Sequence, residues 1–183
     1  MEQTVCDVAY SNDPLKGIFT HMTKSLSKNP IQSGFVKVTM PTVTDPFHNL
    51  NSIFDYSVNG LNQCIYNYFC GFPTSSQNWI QFDFGSNKVA VSGYTLRNSN
   101  RYLTKSWKII GSNDLENWND IHEVKEYRNS DKPNINMHFS CERLSESYRF
   151  IRFVQNENHD RNPRCKYIIQ IAALELFGRV FSN

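Results

Sequence analysis

The second half of the chain contains an ordered series of segments in which apolar and polar residues alternate. The clearest segments run from Asn78 to Gly85, from Ser106 to Asp114, from Tyr148 to Phe153 and from Ala173 to Gly178. Alternation with a period of two is typical of a β-strand that buries one face and exposes the other. Because clusters of Asn, Ser and Gly separate the segments, the pattern predicts an antiparallel β-sandwich.

Weaker segments of the same kind predict further strands. Phe35–Met40 is predicted as the first strand of the sandwich, and 168–177 as the strand that closes the sheet. Three more strands are predicted at 89–97, 118–124 and 136–140. The stretch from Pro41 to Asn78 is irregular but rich in isolated aromatic residues, which indicates an ordered functional loop rather than a disordered one.

The N-terminal segment carries a helical pattern. Asp13 is predicted as the N-cap and Pro14 as the first helical residue, where its missing N–H costs nothing. An apolar stripe with helical spacing continues to Leu26. The sequence therefore predicts a helical extension, residues 1–30, packed on a β-sandwich domain formed by residues 31–183.

The bulk properties limit the classes of partner. The chain has 183 residues and a formal net charge of +2, with lysine and arginine scattered rather than clustered. This distribution argues against nucleic acid as a partner. No segment approaches the roughly 20 consecutive apolar residues of a transmembrane helix, so membrane insertion is not expected. The first residues also lack the features of a secretory signal.

Three of the strand segments together carry a family resemblance. They are Trp79–Gly85, Ser106–Ile109 with Gly111–Asp114 before Trp118, and Arg149–Phe153 followed by Leu174–Gly178. In this order they resemble the coagulation factor V/VIII type C (discoidin) domains, over about residues 31–178. The resemblance implies a jelly-roll, galactose-binding-like sandwich and a binding module rather than an enzyme. The N-terminal part resembles a subgroup found in intracellular multidomain and protist proteins.

The number and positions of the cysteines indicate the cellular compartment of the protein. The chain has five cysteines, an odd number, and their spacing matches no zinc-binding pattern. Secreted members of the resembled family usually join the first and last strands by a disulfide. Cys6 could serve at the front, but no cysteine follows Phe177. The absence of this disulfide and of a signal segment predicts a cytoplasmic location.

The resemblance also places the binding site, at loops gathered at one end of the sandwich. By position these loops are Pro41–Asn51, Ser57–Gln77, Arg97–Lys105 and Gln155–Lys166. The candidate ligand-binding residues are Arg97, Asn98, Asn100, Arg101, Tyr102, Asn158, His159, Arg161 and Arg164. Arginine and asparagine donate to sugar hydroxyl groups, and an aromatic ring stacks on a pyranose. The alternative is that both segments are solvated turns.

Metal and catalytic sites have weaker support. Asp45, Asp55 and neighbouring backbone carbonyl groups could form a calcium site of the kind that some members of the resembled family carry, but the run Asp55–Gly60 matches only part of such a site. No other cofactor is expected. The chain lacks the nucleophile, metalloprotease and phosphate-binding motifs of common enzymes. Cys165 and His159 are a thiol and an imidazole close in sequence, but their proximity in a loop alone is a weak argument, so catalysis is not expected.

Two functions remain open. The first is a non-catalytic recognition module that binds a carbohydrate or a similar polar ligand through its end loops. The alternative is an intracellular adaptor, part of a larger multidomain protein, whose same loops bind a protein partner. The residue types in the loops favour the first, whereas the missing disulfide and the N-terminal helix favour the second.

Overall fold

The computed structural model describes residues 2–41, 53, 54, 56, 78–98, 102–128, 134–162 and 168–182. Within these residues, nine β-strands form two antiparallel sheets and one helix lies between the first two strands. The strands are β1 (Gln3–Val8), β2 (Lys37–Thr39), β3 (Asn78–Asp83), β4 (Asn87–Asn98), β5 (Thr104–Ser112), β6 (Asn119–Val124), β7 (Asn136–Ser140), β8 (Phe150–Asn158) and β9 (Ile171–Ser182), and the helix is α1 (Ile18–Leu26). The sheet orders are β1-β9-β4-β7 and β2-β3-β8-β5-β6. The predicted fold class, an antiparallel β-sandwich with a short N-terminal helix, is confirmed.

The inner faces of the two sheets form one apolar core. Tyr94 and Leu96 of β4 and Phe153 of β8 are fully buried in it. Trp107 of β5 is also fully buried and stacks on Phe153. Burying a large apolar side chain stabilises the folded state by ~1.5–3 kcal/mol, so these contacts hold the two sheets together.

β4 and β8 continue further than the sequence predicts. Arg97 and Asn98 belong to β4, and β8 runs through Gln155 to Asn158. The family resemblance places loops at Arg97–Lys105 and Gln155–Lys166, although the alternating pattern already includes Arg97 in the predicted strand 89–97. The strands continue through them because buried amide groups find hydrogen-bonding partners inside the fold.

The N-terminal residues contribute a strand that the sequence analysis misses. β1 pairs antiparallel with β9, with Cys6 opposite Val180. It lies at the edge of its sheet and most of its residues are exposed, so it lacks the expected alternation. An ion pair between Asp7 and Arg179 (2.7 Å) ties it to β9. The first strand of the sandwich is thus β1 rather than 35–40, and residues 1–30 contain a strand as well as α1.

α1 begins at Ile18, later than the predicted N-cap at Asp13. The carboxylate of Asp13 accepts the N–H of Leu15 (3.2 Å) and pairs with Lys16 (2.8 Å), so it forms a local turn before the helix. The residue at the N-cap is Gly17, and a Cβ atom there would overlap the backbone of β9. Glycine therefore allows α1 to start against the sheet. No helix among the described residues is long and apolar enough to cross a membrane.

A buried carboxylate from β9 caps α1. Glu175 is fully buried, and its oxygens accept the N–H groups of Phe19 (2.8 Å) and Thr20 (3.0 Å). The Thr20 hydroxyl lies 2.9 Å from Glu175 Oε2 and 2.6 Å from the Leu15 carbonyl oxygen. Burial raises the pKa of Glu175 to about 7, although the hydrogen bonds act in the opposite direction. The helix is thus joined to the sandwich by a carboxyl group that titrates near neutral pH.

Candidate carbohydrate-binding site

Several strand ends gather at one end of the sandwich. In the five-stranded sheet, Asn78 at the start of β3 lies opposite Gln155, and Thr104 at the start of β5 lies opposite Asn158. In the other sheet, Asn98 at the end of β4 lies opposite the first residue of β9. Three connections therefore leave the sandwich at the same end: the one that precedes β3, the one between β4 and β5, and the one between β8 and β9. We call this end of the sandwich the loop end. This agrees with the predicted gathering of loops.

A layer of buried polar side chains lies at the loop end. Each carries an amide or hydroxyl group, each is at most 5% exposed, and each lies within three residues of a strand end. The members of this buried polar layer are Asn78, Asn98, Thr104, Gln155, Asn158 and Gln170. A buried polar group without a partner costs ~1–3 kcal/mol, so the bonds of the layer are important for the local structure.

Part of the layer fixes the connection between β4 and β5. Asn98 Oδ1 accepts the N–H of Thr104 across this connection (3.2 Å). The Thr104 hydroxyl in turn donates to Gln155 Oε1 on β8 (3.0 Å). These bonds link β4, which belongs to the four-stranded sheet, to two strands of the other sheet. The start and the end of the β4–β5 connection are therefore held at fixed positions.

The rest of the layer fixes the connection between β8 and β9. The backbone carbonyl of Ile168 accepts hydrogen bonds from the side-chain amides of Gln155 and Asn158. Asn158 Oδ1 also accepts the N–H of Asp160 (2.9 Å), which forms a tight local turn. The two ends of this connection are thereby joined through one amide side chain.

This arrangement changes the interpretation of two predicted residues. Direct ligand contact is predicted for Asn98 and Asn158, whereas the structure places both side chains beneath the surface. Their amide groups are used by the backbone at Thr104, Asp160 and Ile168. Asn98 and Asn158 therefore hold the loops in position, and this differs from the predicted contact with a ligand.

Gln170 is the exception within the layer. Its side-chain oxygen and nitrogen are both buried, and neither has a hydrogen-bonding partner among the described residues. Natural proteins satisfy most buried polar groups, and departures from this rule concentrate at functional sites. The unpaired amide of Gln170 therefore agrees with a functional role for the loop end.

Three predicted residues lie at the surface of the loop end. His159 and Arg161 are exposed, and Tyr102 is partly buried with a left-handed backbone (φ 51°). The N–H of His159 donates to the carbonyl of Leu103 (2.9 Å), which joins the β8–β9 connection to the β4–β5 connection. His159 Nε2 lies 3.2 Å from the carbonyl oxygen of Tyr127 and donates to it. An imidazole, a guanidinium and a phenol ring thus belong to adjoining backbone segments.

Arg97 is directed along the sheet rather than towards the connections. Its Nε donates to Asn136 Oδ1 (2.7 Å), and Asn136 is its cross-strand neighbour on β7. The side chain is partly buried. Arg97 therefore belongs to the surface of the four-stranded sheet near the loop end.

The remaining predicted site residues lie outside the described residues. They are Asp55, Asn100, Arg101 and Arg164, together with most of the loops 41–51 and 57–77. Within the part of the chain that is described, no group of three or more His, Cys, Asp or Glu side chains could hold a metal ion. The calcium site at Asp55 stays a prediction.

The outer face of the five-stranded sheet carries an arginine between two tryptophans. The guanidinium carbon of Arg152 lies 4.1 Å from the ring centre of Trp79 and 4.0 Å from that of Trp118. Its Nε also donates to Gln81 (2.9 Å). Such cation–π contacts stabilise a structure by ~0.5–2 kcal/mol each. Both indole rings therefore support the outer surface of the sheet.

Comparison with known proteins places the chain in a family of β-sandwiches. The F5/8 type C domain model matches residues 48–168. CpGH89CBM32-5 from Clostridium perfringens, solved in complex with GalNAc-β-1,3-galactose, is similar in structure (TM-score 0.57, 13% identity, 79% of this chain and 96% of that chain). So is chitosan-binding module 2 from a chitosanase/glucanase of Paenibacillus sp. IK-5, solved with chitotriose (TM-score 0.54, 15% identity, 79% and 97%).

A third similar structure is a fucolectin from striped bass (Morone saxatilis) serum, with a TM-score of 0.57 and 11% identity over 79% of this chain and 47% of that chain. At these identities the structural likeness establishes the fold alone. No curated protein matches the chain significantly. Because the family model covers well over half of the 183 residues, the chain belongs to the F5/8 type C (discoidin) domain family.

Proposed function

We propose that this domain is a non-catalytic carbohydrate-binding module whose ligand binds at the loop end. One observation carries the proposal: His159, Arg161 and Tyr102 belong to adjoining backbone segments at the surface of the loop end. A sugar offers hydroxyl groups that accept and donate hydrogen bonds, and an apolar ring face. A guanidinium and an imidazole match the first, and a phenol ring matches the second.

The buried polar layer supports this function by fixing the loops in advance. Thr104, at the start of β5, and Ile168, next to β9, are both held by buried side chains. Binding is tighter when the protein does not have to order its loops around the ligand. We therefore assign positioning roles to Asn98 and Asn158, and ligand contact to residues outside the layer.

The similar structures support the same ligand class. Two of them were solved with a sugar bound, and the likeness covers 96% and 97% of those chains. A shared fold does not by itself give a shared function. The proposal therefore rests on the residues at the loop end, and the comparisons only make carbohydrate the first ligand class to test.

A glycan-array screen of the purified domain, with and without calcium, tests the proposal. We expect a defined set of glycans to bind, and Arg161→Ala to abolish that binding. The matched control is Arg143→Ala, which removes an exposed arginine at the opposite end of the sandwich. Thermal melts of both variants would confirm that they fold as the wild type does.

Two results would contradict the proposal: a blank array with folded protein, or glycan binding that survives Arg161→Ala and is lost in Arg143→Ala. Binding that requires calcium would support the predicted metal site at Asp55.

A role in protein recognition is favoured by a different surface, which lies along β6.

A further inference from the structure

A groove runs along β6, the last strand of the five-stranded sheet. Its two parts have volumes of about 330 and 410 Å³ and share Asp120, Ile121 and Arg143, so they form one continuous depression. One wall is β6 itself, and the other is the β7–β8 connection between residues 142 and 148. We call this depression the edge groove. It lies away from the loop end.

The wall opposite β6 is fixed to the core of the other sheet. The N–H groups of Cys141 and Ser145 donate to the carbonyls of Ser92 (2.9 Å) and Val91 (3.0 Å) on β4. The Ser145 hydroxyl accepts the N–H of Val91 (2.9 Å). The β7–β8 connection is therefore held in place beside β6, and the groove exists before any partner binds.

A chain of hydrogen bonds fixes one end of the groove. Trp107 Nε1 donates to the hydroxyl oxygen of Tyr94 (2.8 Å), and that hydroxyl lies 2.9 Å from Nδ1 of His122. Tryptophan can only donate, so the Tyr94 proton is available to His122, whose Nδ1 accepts it. His122 lines the groove. Its ring is thus held by the fully buried Tyr94, which Trp107 in turn fixes.

The backbone of β6 offers an unused edge. β6 pairs only with β5, so in the described part of the chain its outer N–H and C=O groups have no neighbouring strand. Such an edge can accept an extended peptide as an additional strand. β6 has 6 residues. At about 3.3 Å per residue, it is long enough to pair with a peptide of about five residues.

The charges around the groove select the kind of peptide. Four carboxylates line it, namely Asp120, Glu123, Glu142 and Glu146, and Arg143 is the one lysine or arginine among the described lining residues. Lys108 lies 2.7 Å from Asp120 and 3.7 Å from Glu123. Glu142 and Glu146 make no ion pair within the described ranges.

The excess of carboxylates disfavours pairing between two copies of this edge, because like charges would face each other. The same excess favours a cationic partner. We propose that the edge groove binds an extended segment of a partner protein that is rich in lysine or arginine. The backbone of that segment pairs with β6, and its cationic side chains reach Glu142 and Glu146. This surface is separate from the loop end, so the proposal does not depend on carbohydrate binding.

The test uses three synthetic peptides, long enough to span β6, in calorimetric and NMR titrations of the whole domain. One alternates lysine and valine, one alternates glutamate and valine, and one alternates lysine and glycine. We expect the lysine–valine peptide to bind and to shift the amide signals of residues 119–124. The glutamate peptide should not bind, and the lysine–glycine peptide should bind more weakly because glycine disfavours strands.

Variants of the groove separate this proposal from general charge attraction. Glu142→Gln combined with Glu146→Gln should weaken binding of the lysine–valine peptide about fivefold or more. Glu116→Gln, which removes an exposed carboxylate outside the groove, should leave the affinity unchanged. The proposal is overturned if the lysine–valine peptide does not bind, if the double variant binds it as wild type does, or if the lysine–glycine peptide binds equally well.

Discussion

Glu175 joins α1 to the sandwich, and replacing it with glutamine tests the character of that link. Burial raises the pKa of Glu175 from its ordinary value of 4.5 to about 7. Between these two values the folded protein keeps a proton that the unfolded chain releases. The resulting stabilisation is complete below pH 4.5 and is lost as the pH rises to about 7. At about 1.4 kcal/mol per pKa unit, the loss amounts to about 3 kcal/mol.

Two histidines titrate in the same pH range, and they change the stability of the folded protein in the opposite direction. Burial lowers the pKa values of His122 and His138, so their contributions to stability increase as the pH rises. The quantity to measure is therefore the difference in unfolding free energy between wild type and Glu175→Gln. Urea unfolding followed by tryptophan fluorescence, from pH 4.5 to above 7, gives it directly. We expect this difference to fall by about 3 kcal/mol and then to become constant.

The glutamine variant should also be less stable at low pH. Its amide nitrogen would take the place of one carboxylate oxygen and face either the N–H of Phe19 or that of Thr20, so one donor loses its acceptor. The expected loss is ~1–3 kcal/mol. A difference that does not depend on pH would refute the raised pKa. A difference that grows with pH would show that the hydrogen bonds to Glu175 outweigh its burial. Glu116→Gln controls for the loss of one carboxylate.

Two further substitutions test buried polar contacts. Tyr94→Phe should destabilise the domain by ~1–3 kcal/mol in urea unfolding, because Trp107 Nε1 loses its buried acceptor and His122 loses its donor; an unchanged stability would contradict the hydrogen-bond chain. Asn158→Ala should accelerate amide hydrogen exchange at residues 159–162 and cost ~1–2 kcal/mol, because the contacts to Asp160 and Ile168 are lost. Unaltered exchange there would mean that Asn158 does not hold the connection.

The strands could be predicted because their pattern is local. The segments around Trp79, Trp107 and Phe153 alternate since one face of each strand enters the core and the other does not. β1 could not be predicted in this way. It lies at a sheet edge with most residues exposed, so burial imposes no pattern on its sequence.

The start of α1 depends on a residue far away in the chain. Glu175, which caps the helix, is separated from Phe19 by 156 positions. The residue preferences for a helix N-cap, which consider only neighbouring residues, therefore select Asp13. Asp13 has the right residue type for an N-cap but forms a turn instead. The sequence carries one local hint, Gly17, which the close approach of β9 requires.

The composition of the loop end could be predicted, but the roles of its residues could not. Arg161 and Asn158 both lie in a polar segment, and residue type alone does not distinguish an exposed side chain from a buried one. Asn158 is buried because the carbonyl of Ile168 is within reach of its amide. The edge groove cannot be predicted for a similar reason, since its walls at 119–123 and 142–148 meet only in the fold.

Carbohydrate binding at the loop end is tested most directly by an NMR titration of the domain with the glycan that binds best on the array. We expect chemical-shift changes at the backbone amides of residues 102–104 and 158–162, which belong to the loop end. The same titration of Arg161→Ala should show none of them. Changes centred on β6 and residues 142–148, with the loop end unaffected, would contradict carbohydrate binding at the loop end.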